Sequence, residues 1–142
     1  MRIYFGGTTD NSDEMKREIS EIIKSLLQMT GENIIIFNPL DSYLIGTNAI
    51  EDANIISYVK DVNEFAMLKS DLVIFLLNDK MSFGLPIDIE FCARNDKKFI
   101  VLDRSTRSSI YLKVLIKRSA FGVRAKDLND IAQYFTQLGE GN

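Results

Sequence analysis

Apolar positions along the chain fall into two alternating rhythms, short unbroken runs and longer stretches with helical spacing. Arg2 to Phe5 is a β-prone run that ends in Gly6-Gly7, which reads as a first strand and a tight turn. Asn11 or Ser12 then caps a helix. Glu14 and Glu18 suit its first turns, Met15, Ile19, Ile22, Ile23, Leu26 and Leu27 share one face, and Gly31 is a natural stop. Asn33 to Phe37 is a continuous apolar run of the kind found in buried parallel strands, closed by Asn38-Pro39. Residues 40 to 53 are mixed; with Asp41, Tyr43, Gly46 and Asn48 they suggest a ligand-facing loop with a short helix.

Helical spacing returns from Ile55 to Lys69. Asp71 to Leu77 is the clearest strand of the chain, and a polar loop, Asn78 to Lys80, follows. Residues 86 to 95 read as a helix with Pro86 in its first turn, and Lys98 to Leu102 as the next strand. Ser108 to Arg118 reads as a helix, Phe121 to Val123 as a short extended piece, and Asp127 to Leu138 as a closing amphipathic helix. Strands alternating with helices predict an α/β chain of one domain over residues 1–142. The expected architecture is a flavodoxin-like or Rossmann-like three-layer sandwich with about five parallel strands. Ligands of such sheets bind beyond the carboxyl ends of the strands. Three loops are therefore of interest: 6 to 11, 38 to 48, and 78 to 88.

Composition narrows the chemistry. The chain has 142 residues, 46% of them apolar, enough for one compact core. It has no run long and apolar enough to span a membrane, and its first residues turn polar too soon for a signal peptide, so a cytoplasmic protein with no membrane partner is expected. Cys92 is the single cysteine and reads as core. Histidine is absent, which removes histidine triads and makes zinc improbable; acid–base work falls to carboxylates, Tyr or Lys. A net charge of −3 suits a nucleic-acid backbone poorly, and the late basic cluster from Arg104 to Lys126 reads as a solvated face or a small anion site.

Two loops carry candidate chemistry. In Gly6-Gly7-Thr8-Thr9-Asp10-Asn11-Ser12, glycines permit close backbone approach and a helix N-terminus follows, although a plain strand-to-helix turn would look the same. In Ser82-Phe83-Gly84-Leu85-Pro86-Ile87-Asp88-Ile89-Glu90, a hydroxyl, a glycine and two carboxylates join the clearest strand to a helix. Acids there also answer the helix dipole without further purpose.

This second stretch resembles the nucleoside 2-deoxyribosyltransferases and their relatives, the 2′-deoxynucleoside 5′-phosphate N-hydrolases. Ser82 and Gly84 match the family's Asp or Ser-x-Gly with the right spacing, Asp88 falls on its nucleophilic Glu, and Lys97 on its Lys before the next strand. The opening Ile3-Tyr4-Phe5-Gly6-Gly7 and the strand-opening Asp71 fit as well. The likeness covers most of residues 2 to 104. It implies attack by a carboxylate on the anomeric carbon, a covalent glycosyl intermediate, and release to water or a second base. It also implies a small nucleoside or nucleotide as ligand, no metal, no other cofactor, and a homodimer or higher homo-oligomer with the site completed across an interface.

The chain departs from that pattern in informative ways. Asp88 is one methylene shorter than Glu, and a misplacement of about 1 Å can lower a rate on the order of 100-fold. Glu90 is the reserve nucleophile, but on an ideal helix the two residues lie roughly 200° apart. Asn63, eight residues before Asp71, holds the place of the family's base-side Asp and has no acidic proton to give. Asp61 and Glu64 read as solvated helix surface. Ser82 favours a 5′-phosphate, because a hydroxyl donates where a carboxylate repels. Asp10 stands where phosphate-binding relatives carry Arg, and Thr8 fills the hydroxyl position before it. Lys113, Arg107 or Ser108 of a neighbouring subunit would then supply the charge. Tyr4 is the aromatic best suited to meet the ligand.

The expected activity is cleavage or transfer at the N-glycosidic bond of (deoxy)nucleoside 5′-monophosphates. Asp88, Glu90 and Asn63 are the catalytic candidates, and Tyr4, Gly6, Gly7, Thr8, Asp10, Ser82, Gly84 and Lys113 the binding candidates. The alternatives are deoxyribosyl transfer between free nucleosides, and a nucleotide-binding or sensing protein with impaired chemistry.

Overall fold

The computed structural model describes residues 1–7, 13–30, 35–37, 53–79, 84–106 and 110–140. Among them five strands and five helices alternate: β1 (Arg2–Gly7), α1 (Asp13–Thr30), β2 (Ile35–Phe37), α2 (Ala53–Lys69), β3 (Leu72–Leu77), α3 (Gly84–Arg94), β4 (Phe99–Asp103), α4 (Ile110–Arg118), β5 (Gly122–Ala125) and α5 (Leu128–Glu140). All neighbouring strands pair in parallel, in the order β2-β1-β3-β4-β5. The chain passes from β1 out to the edge strand β2 and then crosses back over β1 to β3, from which it continues to β4 and β5, so the strand order reverses at β1/β3.

Alternation within the central strands builds two cores. Ile3, Phe5, Leu72, Ile74, Leu76, Ile100 and Leu102 face α1 and α5, where Ile19, Ile22, Leu26 and Ile131 close over them. Tyr4, Val73, Phe75, Leu77, Phe99 and Val101 face the other way, against Met67 of α2, Leu85, Ile89 and Cys92 of α3 and Leu112 of α4. Both faces of β3 and β4 are buried throughout, which explains why these strands read as unbroken apolar runs.

The sequence places Gly6-Gly7 in a turn, whereas the structure extends β1 through both residues, opposite Phe75 and Leu76. The reason is close packing. A Cβ on Gly6 would meet the Tyr4 ring at 2.8 Å, and one on Gly7 would meet the Leu76 carbonyl at 2.9 Å. Strand β4 likewise runs on to Asp103, which pairs with Leu77, and β5 is shifted to 122–125 by its register against β4. The short helix expected within residues 40 to 53 falls almost wholly outside the described residues.

Candidate active site

Helix α3 follows β3 and begins at Gly84. Pro86 lies in its first turn, where a missing N–H has no helical partner to lose. Leu85, Ile89 and Cys92 form its buried stripe, and Asp88 lies beside that stripe, half-buried. Helix α2 precedes β3, so α2 and α3 both run against the strands and parallel to each other. They touch where Cys92 Sγ lies 3.7 Å from Met67 Sδ. One helical turn back from that contact stand Asn63 and Glu64 on α2 and Asp88 on α3; a further turn back stand Lys60 and Gly84, nearer the carboxyl edge of the sheet.

This arrangement decides the state of Asp88. Burial pushes its carboxyl up to about 6; the negative charge of Glu64 adds to the rise, and the Lys60 ammonium opposes it. Among the described residues nothing donates a hydrogen bond to Asp88. Lys60 Nζ stands 3.8 Å from Glu64 Oε1, with the Lys60 side chain 56% exposed and that of Glu64 28%. Among the described residues Asn63 Oδ1 is buried without a hydrogen-bond partner. Cys92 has its thiol pushed up to about 12, by burial first and by the Asp88 charge second, which makes it an inert core residue.

Near the carboxyl edge, at the end of β4, the polar groups are instead saturated. Asp103 accepts from the Ser105 amide and hydroxyl and from Arg124 Nε, with Arg124 Nη2 at 2.8 Å. Thr106 donates its amide and hydroxyl to Asp79, and Arg104 joins Leu77 through its amide and Glu18 through its side chain. The segment after β4 is thereby tied to β3 and α1.

The remaining expected site residues are distributed unevenly. Glu90 is turned to Arg94, which contacts its carboxylate at 2.8 and 2.9 Å, and shares no partner with Asp88. Tyr4 is 1% exposed and stacks on Phe37, within the core under α2 and α3. Gly6 and Gly7 lie in β1, Gly84 opens α3, and Lys113 is exposed on α4. Thr8, Asp10 and Ser82, with Arg107 and Ser108, lie outside the described residues. Asp61 is exposed as expected of solvated surface, but Glu64 is not simply surface: it faces Asp88. The signal for Lys60 and Glu64 was the spacing 60, 63, 64, 67, which puts them on one helix face with Asn63 and the buried Met67. A hollow on the outer face of α5, lined by Asn129, Ala132, Gln133, Thr136 and Gln137, holds no titratable group and lies across the sheet from Asp88. We therefore centre the site on α2 and α3.

Comparison with known structures agrees with this fold. A conserved protein from Enterococcus faecalis V583 is 18% identical, covers 96% of this chain and 98% of its own, and superposes with a TM-score of 0.76. A 2-deoxyribosyltransferase from Bacillus psychrosaccharolyticus is 12% identical over 93% of this chain and 90% of its own, with a TM-score of 0.70. The CMP N-glycosidase BcmB of Clostridium botulinum is 16% identical over 96% and 99%, with a TM-score of 0.60. No protein-family model and no curated protein matches the chain. The α/β fold is thus one that a deoxyribosyltransferase and an N-glycosidase also use.

Proposed function

We propose that the protein cleaves or transfers the N-glycosidic bond of (deoxy)nucleoside 5′-monophosphates, with Asp88 as the nucleophile. The observation that carries this reading is the Asp88 carboxylate itself: half-buried, without a hydrogen-bond donor among the described residues, and held one turn inside the helix that follows the central strand. At neutral pH a carboxyl that titrates near 6 is mostly ionised, yet burial disfavours its charge. Attack on the anomeric carbon forms an ester and removes that buried charge, so the step is helped by what burial withholds from the free carboxylate. The C–N electron pair departs with the base. Water, or a second base, then takes the sugar and returns the carboxylate, the two-step logic of retaining glycosidases.

The neighbours in fold, a deoxyribosyltransferase and a CMP N-glycosidase, support this reaction class. In this reading Ser82 donates to the 5′-phosphate, Gly84, Gly7 and Thr8 allow close approach to sugar or phosphate, Asp10 borders the site, Tyr4 stays in the core and makes no ligand contact, and Lys113 of a second copy adds positive charge. Asn63 faces the base, and Glu90 is the reserve nucleophile. The protein works as a cytoplasmic homo-oligomer. Exposed Phe65, Ile87 and Ile110 are apolar side chains that a second copy would cover, and light scattering of a Phe65→Glu/Ile87→Glu variant tests this by loss of the larger species.

The deciding experiment incubates the protein with ribo- and deoxynucleoside 5′-monophosphates and with free nucleosides, and follows free base by chromatography. Base release from monophosphates that vanishes in Asp88→Ala supports the reading. Loss only in Glu90→Ala moves the nucleophile to Glu90. Exchange between free nucleosides alone turns the protein into a transferase, and ligand-induced thermal stabilisation without turnover turns it into a nucleotide sensor.

A further inference from the structure

We propose that Lys60 supplies the proton and the positive charge that the departing base needs, in place of a carboxylic acid; this rests on the glycosidase reading of the same site. When the C–N bond breaks, its electron pair stays on the base nitrogen, and a neutral base leaves as an anion unless a group meets it. Asn63 has no acidic proton for that task. Glu64, as a carboxylate, repels an anion.

Lys60 meets both requirements. It shares the α2 face that carries Asn63, Glu64 and Met67, and its charge acts on Asp88 across the α2–α3 contact. It stands one turn nearer the carboxyl edge than Asp88, where the base of a nucleotide attacked by Asp88 would lie. Among the described residues its ion-pair partner is Glu64, at 3.8 Å, a loose pairing, and more than half of its side chain is exposed. The ammonium is thus held toward the site by Glu64 but not consumed by it. Glu64 acts here as a positioning residue.

The proton count closes. Asp88 Oδ bonds to the anomeric carbon as the C–N pair moves to the base, and the Lys60 ammonium passes a proton to that nitrogen. Water then attacks the glycosyl ester, its hydroxyl stays on the sugar, its proton returns to the Lys60 amine, and Asp88 leaves as carboxylate. Net, one water is added across the C–N bond.

The test pairs each nucleotide that the wild-type protein cleaves with an analogue whose base leaves more easily, 5-fluoro on a pyrimidine or N7-methyl on a purine. Lys60→Met should lose on the order of 100-fold in kcat on the parent nucleotide, the usual scale for one general acid. It should lose less than about tenfold on the activated partner, which needs the proton less. Lys60→Arg, which keeps the charge but gives up its proton reluctantly, should fall between on the parent alone. Glu64→Gln should shift kcat in the direction of Lys60→Met by a smaller factor. Equal losses on both members of the pair, or a raised KM with kcat unchanged, would overturn the role of Lys60 while leaving Asp88 in place. A wild-type protein that releases no base from any parent or activated nucleotide overturns both the glycosidase reading and this inference.

Discussion

Asp88 and Asp103 are carboxylates of neighbouring elements, and the structure treats them in opposite ways. Asp103 ends β4 with every near neighbour aligned to its charge: two donors from Ser105 and the Arg124 guanidinium. These donors hold its carboxyl below the usual range even though burial alone would raise it. Asp88 is pushed up to about 6 by burial and by the charge of a second carboxylate, Glu64, with the Lys60 ammonium opposing them. A saturated carboxylate fixes structure, and a carboxylate left short of partners keeps its lone pairs for something else. Neighbouring elements therefore hold one carboxylate as a strut and one short of partners, and side-chain environment separates them.

The largest effect should fall on activity. Asp88→Ala should reduce base release by about 1,000-fold or more, since the covalent route is then closed. Asp103→Ala should leave a folded protein with measurable turnover. If the two variants exchanged these outcomes, the contrast drawn from their partners would be wrong. Stability should rank them the other way. Asp103→Ala strands Arg124 and the Ser105 donors and should lower urea stability by about 2–4 kcal/mol, while Asp88→Ala removes a disfavoured charge and should lower it much less.

How much of this was legible in the residues can be argued element by element. The apolar runs at Leu72–Leu77 and Phe99–Leu102 announced themselves because both strand faces are buried, so no polar residue interrupts them. Gly6-Gly7 misled because a glycine pair signals a turn and a tight interface equally; only the Tyr4 ring and Leu76 carbonyl beside them tell the two apart. Asp88 was visible through its place in a motif. Its partners were not, because Glu64 and Lys60 come from another helix, and which turn of α2 meets which turn of α3 is set by the Met67–Cys92 packing. The saturation of Asp103 was equally hidden, since Arg124 reaches it from the adjacent strand.

Titration offers a finer way to sharpen the contrast, and the signs are opposite. The folded-state value of Asp88, about 6, lies above its ordinary 3.8. The folded protein thus binds that proton more tightly than the unfolded chain. The contribution is fully present below 3.8, and stability is lost as pH rises from there through about 6. The loss is on the order of 1–3 kcal/mol above that window. Asp88→Asn should recover it, so the variant should be more stable than wild type at pH 8 and indistinguishable at pH 3.5 in parallel urea titrations. Asp103 runs the other way: its contribution stands above the ordinary carboxylate range and is lost as pH falls through its lowered folded value. In wild type, kcat/KM should climb with pH through about 6 as Asp88 ionises. A fall across that range would make Asp88 a proton donor instead of a nucleophile.

The smallest expected effect concerns the frame that holds Asp88 where it is. Asp96 ends the turn after α3 with φ at 52°, the left-handed region that glycine enters most easily. The turn closes with Lys97 N donating to Cys92 O at 3.0 Å, which satisfies an end carbonyl of α3. It also aims Lys97 Nζ at the carbonyls of Leu68, 3.1 Å away, and Ser70, so one residue caps α3 with its backbone and α2 with its side chain. That double cap ties the ends of the two helices together and so reinforces the register that the Met67–Cys92 packing sets. Asp96→Gly relieves the left-handed strain but frees the unfolded chain, leaving a net gain of up to about 1 kcal/mol. The gain should appear as a melting temperature raised by roughly 1–3 °C, with base release unchanged because the cap geometry is kept. A lower melting temperature would mean that the Asp96 carboxylate itself, and not only the backbone angle, holds the turn.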